Sequence, residues 1–149
     1  MFKRILVAVD GRSPISPLIQ SVATLAKDVE SKVRVFHAVE FAGRGSAVPL
    51  EPFEEARDLV TLAVLELQMQ EIEADGAWRA ACRHEASWMI AQEAREWDAD
   101  LIVVGTDRRR GVRRLMGRGL RERLIRRSDT PILVEPIRAG QRSADHQVQ

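Results

Sequence analysis

Five short apolar runs alternate along this chain with stretches whose apolar residues recur at helical spacing, and that alternation constrains the fold more than any other feature. The first run, Ile5-Leu6-Val7-Ala8-Val9, is apolar at every position, as a strand covered on both faces requires. Ser13 can cap the following helix, Pro14 suits its first turn, and Ile15, Leu18, Ile19, Val22, Ala26 and Val29 stripe it. Residues 33–39 read as a second strand, and residues 40–50, with Gly43, Gly45, Ser46 and Pro49, as a loop. Pro52, Glu54 and Glu55 open a long helix that the pattern carries to about Ala74, with a stop at Asp75-Gly76. Residues 77–82 make a third strand, and Ala86, Met89, Ile90, Ala94 and Trp97 mark a third helix. Leu101-Ile102-Val103-Val104-Gly105 is a fourth strand, 106–114 a charged loop, and Met116, Leu120, Leu124 and Ile125 stripe a fourth helix. Pro131-Ile132-Leu133-Val134 is the fifth strand, in an apolar segment that ends at Pro136.

Strands that alternate with helices are parallel and joined by right-handed crossovers, so the expected class is α/β, one open sheet with helices on both faces. A chain of 149 residues holds one such domain, placed at 1–138, with a polar, frayed tail at 139–149. Ligands bind such sheets beyond the carboxyl ends of the strands, near a topological switch point. Asp10, Ala38-Val39 and Gly105-Thr106 are the strand ends of interest.

Several function classes fall away. No stretch is long and apolar enough for a membrane span. The basic N-terminus precedes an apolar run that stops at Asp10, too short for a secretory signal. One cysteine, Cys82, excludes an internal disulfide framework, and as a strand residue it reads as a small inert apolar group. His37, His84 and His146 have no metal-ligand spacing, and His37 reads as a satisfied strand residue. Trp78, Trp88 and Trp97 read as core or interface anchors. A reducing, cytoplasmic setting is expected, with no metal.

Charge is unevenly placed. Residues 1–107 carry 11 Lys/Arg against 18 Asp/Glu, whereas 108–127 carry ten Arg against the single acid Glu122. Such a block is a solvated face or an anion-binding surface. Arg126 and Arg127 suit a helix C-terminus, but Arg118 and Arg121 fall near the expected start of the fourth helix, where the dipole disfavours a cation. With Arg108, Arg109 and Arg110 they would converge on one end of the sheet, and guanidinium groups suit phosphate. A phosphorylated or polyanionic ligand is one reading; arginines that merely fill space are another. No aromatic residue lies in 108–127, so specific nucleic-acid recognition is not expected.

Three blocks in order, Ile5-Leu6-Val7-Ala8-Val9-Asp10-Gly11, Ala99-Asp100-Leu101-Ile102-Val103-Val104-Gly105-Thr106 and Ser128-Asp129-Thr130-Pro131-Ile132-Leu133-Val134, resemble the universal stress protein family over residues 3–136. The resemblance implies a Rossmann-like five-stranded parallel sheet of order 3-2-1-4-5. It also implies a homodimer through the last strand, in the region of Ile132 and Val134. Some members bind ATP through G-x2-G-x9-G-[S/T] after the fourth strand, where glycines let the backbone approach phosphates. Laid on this chain, the motif falls on Gly105, Arg108, Arg118 and Gly119: two glycines have become arginine and the hydroxyl is gone. The remaining contact positions fall on Ala8, Asp10 and Ala38, around base and ribose, and on Val104 and Leu120. Asp10 can serve a turn or a base; Gly105 can serve a tight turn or a phosphate. The resemblance is to the branch that does not retain ATP. It implies a non-enzymatic, dimeric stress-response regulator with an unidentified protein partner and no cofactor. The alternative is a member that binds ATP with Mg and has weak ATPase or autophosphorylating activity.

Overall fold

The structure, a computed structural model, describes residues 2–11, 14–43, 45, 47–82, 85–107 and 113–137, with backbone alone at 106, 107, 113–118 and 137. The expected tail at 139–149, Ser13 and the arginines at 108–110 lie outside these residues.

Among the described residues nine elements alternate: β1 (Arg4–Ala8), α1 (Ile15–Val29), β2 (Lys32–Glu40), α2 (Phe53–Met69), β3 (Ala74–Ala81), α3 (Ala86–Glu96), β4 (Leu101–Asp107), α4 (Arg113–Arg127) and β5 (Ile132–Ile137). All five strands are parallel, in the order β3-β2-β1-β4-β5. The expected architecture is therefore present. Ile5 pairs with both Val33 and Leu101, which makes β1 central.

Period-two alternation sends neighbouring residues to opposite faces. Ile5, Val7, Val33, Val35 and Val103 pack with Leu18 and Val22 of α1 and with Val60 and Leu67 of α2. Leu6, Phe36, Ile102 and Val104 pack with Ile90 and Ala94 of α3 and with Leu124 of α4. Both faces are buried, which is why these strands read as unbroken apolar runs. Each fully buried Leu or Ile contributes about 1.5–3 kcal/mol by leaving water. At the amino end, the Asp100 carboxylate accepts from the backbone N–H groups of Lys3 (2.8 Å) and Arg4 (3.0 Å), pinning β1 to the start of β4.

Several boundaries differ from the sequence expectation. α2 ends at Met69, where Glu71 takes a left-handed φ of 62° and the Ile72 N–H turns back to Leu67 O (3.2 Å). Asp75 and Gly76 are not a helix stop; they lie inside β3, opposite Arg34 and Val35. Pro14 stands at the N-cap of α1 and makes no side-chain cap. Cys82 falls just past β3 and is exposed, so it is not a packed strand residue. Ile125 is exposed on α4, whereas Leu124 is buried in the core and Leu120 packs against it.

Candidate functional site

β1 and β4 are adjacent strands whose chains leave in opposite directions across the sheet, so the switch point lies between their carboxyl ends. A cleft opens there. Ala8, Val9 and Asp10 form its β1 side, Val104 and Gly105 its β4 side, and Pro14, Ile15, Leu18, Ile90 and Leu120 close it from three helices. Five of the residues singled out from the sequence (Ala8, Asp10, Val104, Gly105 and Leu120) are thus brought together. Ala38 lies beside them, packed against the core under α3 and α4.

The walls define the chemistry. Asp10 supplies a carboxylate, and no lining side chain is a hydrogen-bond donor, so the described walls offer an apolar slot with one acceptor group. The cavity volume is about 60 Å³. Small-molecule sites offer roughly 300 Å³ or more, so the described walls enclose a narrow slot. Gly105 is a paired residue of β4, opposite Glu135, and the strand runs on to Asp107; it does not make the tight turn that one reading assigned to it. Gly119 sits in α4 where an added Cβ would meet nothing within 4 Å, so packing does not exclude the missing hydroxyl residue.

Contrary to the sequence expectation, Arg118 and Arg121 do not lie near the start of α4. α4 begins at Arg113, which places Arg118 in its second turn and Arg121 in its third, beyond the reach of the terminal dipole. The cations in the first turn are instead Arg113 and Arg114, and the turn holds no acid. Arg126 and Arg127 occupy the last turn, as expected, and are exposed.

His37, 4% exposed, lies beside the site. Its Nδ1 is 2.8 Å from Val9 O and its Nε2 contacts Glu51 Oε1, so both ring nitrogens are satisfied. Trp78 stacks on Phe53 with ring centroids 5.2 Å apart, and Trp97 packs under α3, so both are core anchors; Trp88 is exposed.

A polar network at the opposite end of the sheet was not anticipated. Glu93, 3% exposed on α3, accepts from Arg34 (3.1 Å) and lies 3.1 Å from Arg79 through its other oxygen. Arg34 also grips Asp75 in two parallel bonds of 2.7 and 2.9 Å and lies 4.8 Å from the Trp97 ring centroid. Its guanidinium holds its proton more tightly than usual, chiefly through the hydrogen bond to Asp75. The Glu96 carboxyl is held below the ordinary glutamate range, first by the Gln92 hydrogen bond and then by Arg79. The readable signals were Arg34 between two core valines and Glu93 one turn beyond Ile90 on the buried face. A larger cavity of about 190 Å³ lies at this amino end, between Arg4, Lys32, Glu73, Asp75 and Trp97. Lys32 and Glu73 pair with each other across it at 2.8 Å, and it lies opposite the end where such sheets take ligands.

Among the described residues, no group of three His, Cys, Asp or Glu could hold a metal ion, and no helix is long and apolar enough to cross a membrane.

Comparison with known proteins adds three findings. The model of the Universal stress protein family matches residues 1–136. Universal stress protein A homolog 2 of Coxiella burnetii is 28% identical over 125 residues, which span 78% of this chain and 83% of that protein. Two solved structures of Archaeoglobus fulgidus universal stress protein share the fold. One has a TM-score of 0.71 at 23% identity, covering 90% of this chain and 98% of the other. The second, in complex with dAMP, has a TM-score of 0.67 at 22% identity, covering 89% and 96%.

Proposed function

The chain belongs to the universal stress protein family, and from that premise we propose that it is a non-enzymatic, homodimeric stress-response regulator whose nucleotide site has lost its phosphate cradle. The observation that carries this reading is the cleft itself. Its base end survives, with Asp10 and Gly105 on one small apolar slot, while the motif positions that would face the phosphates read Arg108, Arg118 and Gly119. Glycine at those positions lets backbone amides approach an anion; arginine cannot make that approach through its main chain. The protein's role then rests on a partner rather than on turnover. We place it in the cytoplasm, without a cofactor, and assign the arginine-rich 108–127 segment to an anionic partner surface.

The exposed edge of β5 supports the homodimer. Among the described residues the strand is an edge of the sheet, paired to β4, and Leu133 stands exposed on it. Ile132 and Val134 are turned inward, against the core under α3 and α4. A second copy's β5 would satisfy the open edge and cover Leu133.

One observation favours a second reading, a nucleotide-binding member. A related protein is in complex with dAMP, which has one phosphate and needs no triphosphate cradle, and Asp10 is in place to accept from a base. Acid extraction of the purified protein separates the two. Extracts free of adenine nucleotide support the first reading; close to one nucleotide per chain overturns it.

A further inference from the structure

Helix α2 carries two seams. Ala56, Val60, Ala63 and Leu67, at i, i+4, i+7 and i+11, are buried towards the sheet. The same spacing two residues on gives Asp58, Leu62, Leu65 and Met69, about 200° round the helix on its solvent side. Leu62, Leu65 and Met69 stand 63%, 48% and 85% exposed. The core gains nothing from them there, and grouped apolar side chains with a polar rim mark an interaction surface.

The rim is acidic. α2 holds Glu54, Glu55, Asp58 and Glu66 against one cation, Arg57. Glu54 and Glu55 suit the positive end of the helix dipole, and Glu66 is drawn to α1 by Ser16 (2.9 Å) and Gln20 (2.7 Å). Asp58 lies in the outer seam itself, one turn before Leu62. A second copy's α2 is a poor occupant of this seam. Antiparallel packing about Leu65 would bring Glu55 and Asp58 towards Glu71 and Glu73, and parallel packing would set Asp58 on Asp58.

A basic face with an apolar centre fits instead, and this chain has one. Residues 119–127 of α4 carry Arg121, Arg123, Arg126 and Arg127 against Glu122. Ile125 is exposed among them, one turn beyond half-buried Arg121. α2 packs on one face of the sheet and α4 on the other. One copy therefore cannot close the contact on itself, and two copies cannot exchange it reciprocally.

We propose that the outer seam of α2 in one copy docks on the α4 face of the next, Leu62, Leu65 and Met69 against Ile125 and acids against arginines. The proposal rests on the assignment of the arginine-rich segment to an anionic partner and names that partner as a second copy of this chain. The contact is heterologous and does not close, so assembly grows with concentration. One helix against another is a small interface, so the association is weak and reversible.

Sedimentation of the full chain tests this. At about 20 mM salt, where charges act over roughly 20 Å, the mean mass should climb with concentration past two chains without a plateau. At about 0.5 M salt the association constant should be roughly tenfold lower or less. Leu62→Ser with Leu65→Ser should remove the growth. Glu55→Arg with Asp58→Arg should remove it too, as should Arg121→Glu with Arg126→Glu. Mixing those two charge-reversed proteins should restore it, because each then presents the other with an opposite charge. Leu133→Asp should leave it in place, since the β5 edge is a separate contact. A low-salt mass independent of concentration overturns the docking, as does growth that strengthens with salt or a mixture that does not assemble. Heparin then tests the parent reading separately: retention weakened by Arg121→Glu with Arg126→Glu keeps an anionic partner for α4, and unchanged retention removes it. Should the variants not fold, the salt and concentration profile of the native chain decides alone.

Discussion

Gly76 of β3 lies directly beneath Val60 of α2: a Cβ on Gly76 would stand 2.3 Å from Val60 Cγ1 and 2.9 Å from Val64 Cγ2. The helix crosses the strand at this point so closely that only a hydrogen fits. Gly76→Ala should therefore destabilise the fold by about 1–3 kcal/mol, the usual cost of overpacking. Chemical denaturation reads this as a lower midpoint at unchanged slope. A neutral result would mean that α2 can lift off β3 freely.

Glu93 draws Arg34 and Arg79 to one buried carboxylate. Breaking a buried ion pair costs about 3–5 kcal/mol when the remaining charge stays buried. Here both arginines retain solvent access, so Glu93→Ala should cost less, about 2 kcal/mol. Glu93→Gln, which keeps an acceptor for Arg34, should cost less again. Equal losses in the two variants would assign the effect to packing rather than to charge.

The Glu96 carboxyl lies below its ordinary range, with the Gln92 hydrogen bond as the largest cause and Arg79 next. A carboxyl lowered in the folded state stabilises the fold above its unfolded pKa, and that contribution disappears as pH falls through the folded pKa. Carboxyl resonances followed through an acid titration should show Glu96 below the exposed glutamates. Gln92→Ala should move its midpoint upward. A midpoint indifferent to Gln92 would contradict the assigned cause.

Leu133 is an exposed apolar residue on the β5 edge. If two copies join along β5, Leu133→Asp places a charge in that interface, and light scattering should show a dimer becoming a monomer. The far edge, β3, gives the control: Arg79→Ala should leave the mass unchanged. A Leu133→Asp protein of unchanged dimeric mass would move the interface elsewhere.

The sheet was legible because both of its faces are covered: Ile5 through Val9 and Leu101 through Val104 could be nothing but buried strands. The end of α2 was not, because its cause is tertiary. Periodicity runs on past Met69, and what makes residues 74–81 strand is their pairing with β2 and the fit of Gly76 under Val60. The start of α4 was misplaced because the arginine-rich segment has almost no apolar stripe, which moved Arg118 and Arg121 away from the helix terminus. Asp10 and Gly105 were found because strand ends at a switch point converge whatever the loops do, and Ala8, Val104 and Leu120 through the family resemblance. The His37–Glu51 contact was missed because residues 40–50 looked like an unconstrained loop, and nothing local shows that Glu51 returns to β2.

Calorimetric titration of the protein, at about 0.1 mM, with ATP and Mg²⁺ addresses the central claim most directly, since binding near 10 μM would then be plain. A cleft that keeps Asp10 and Gly105 but has arginines at two of the phosphate-motif glycine positions should give no saturable heat. A one-site isotherm with a Kd of about 10 μM or tighter would mean that the arginines hold the triphosphate rather than replace its cradle, and the account of a degenerate site would fall.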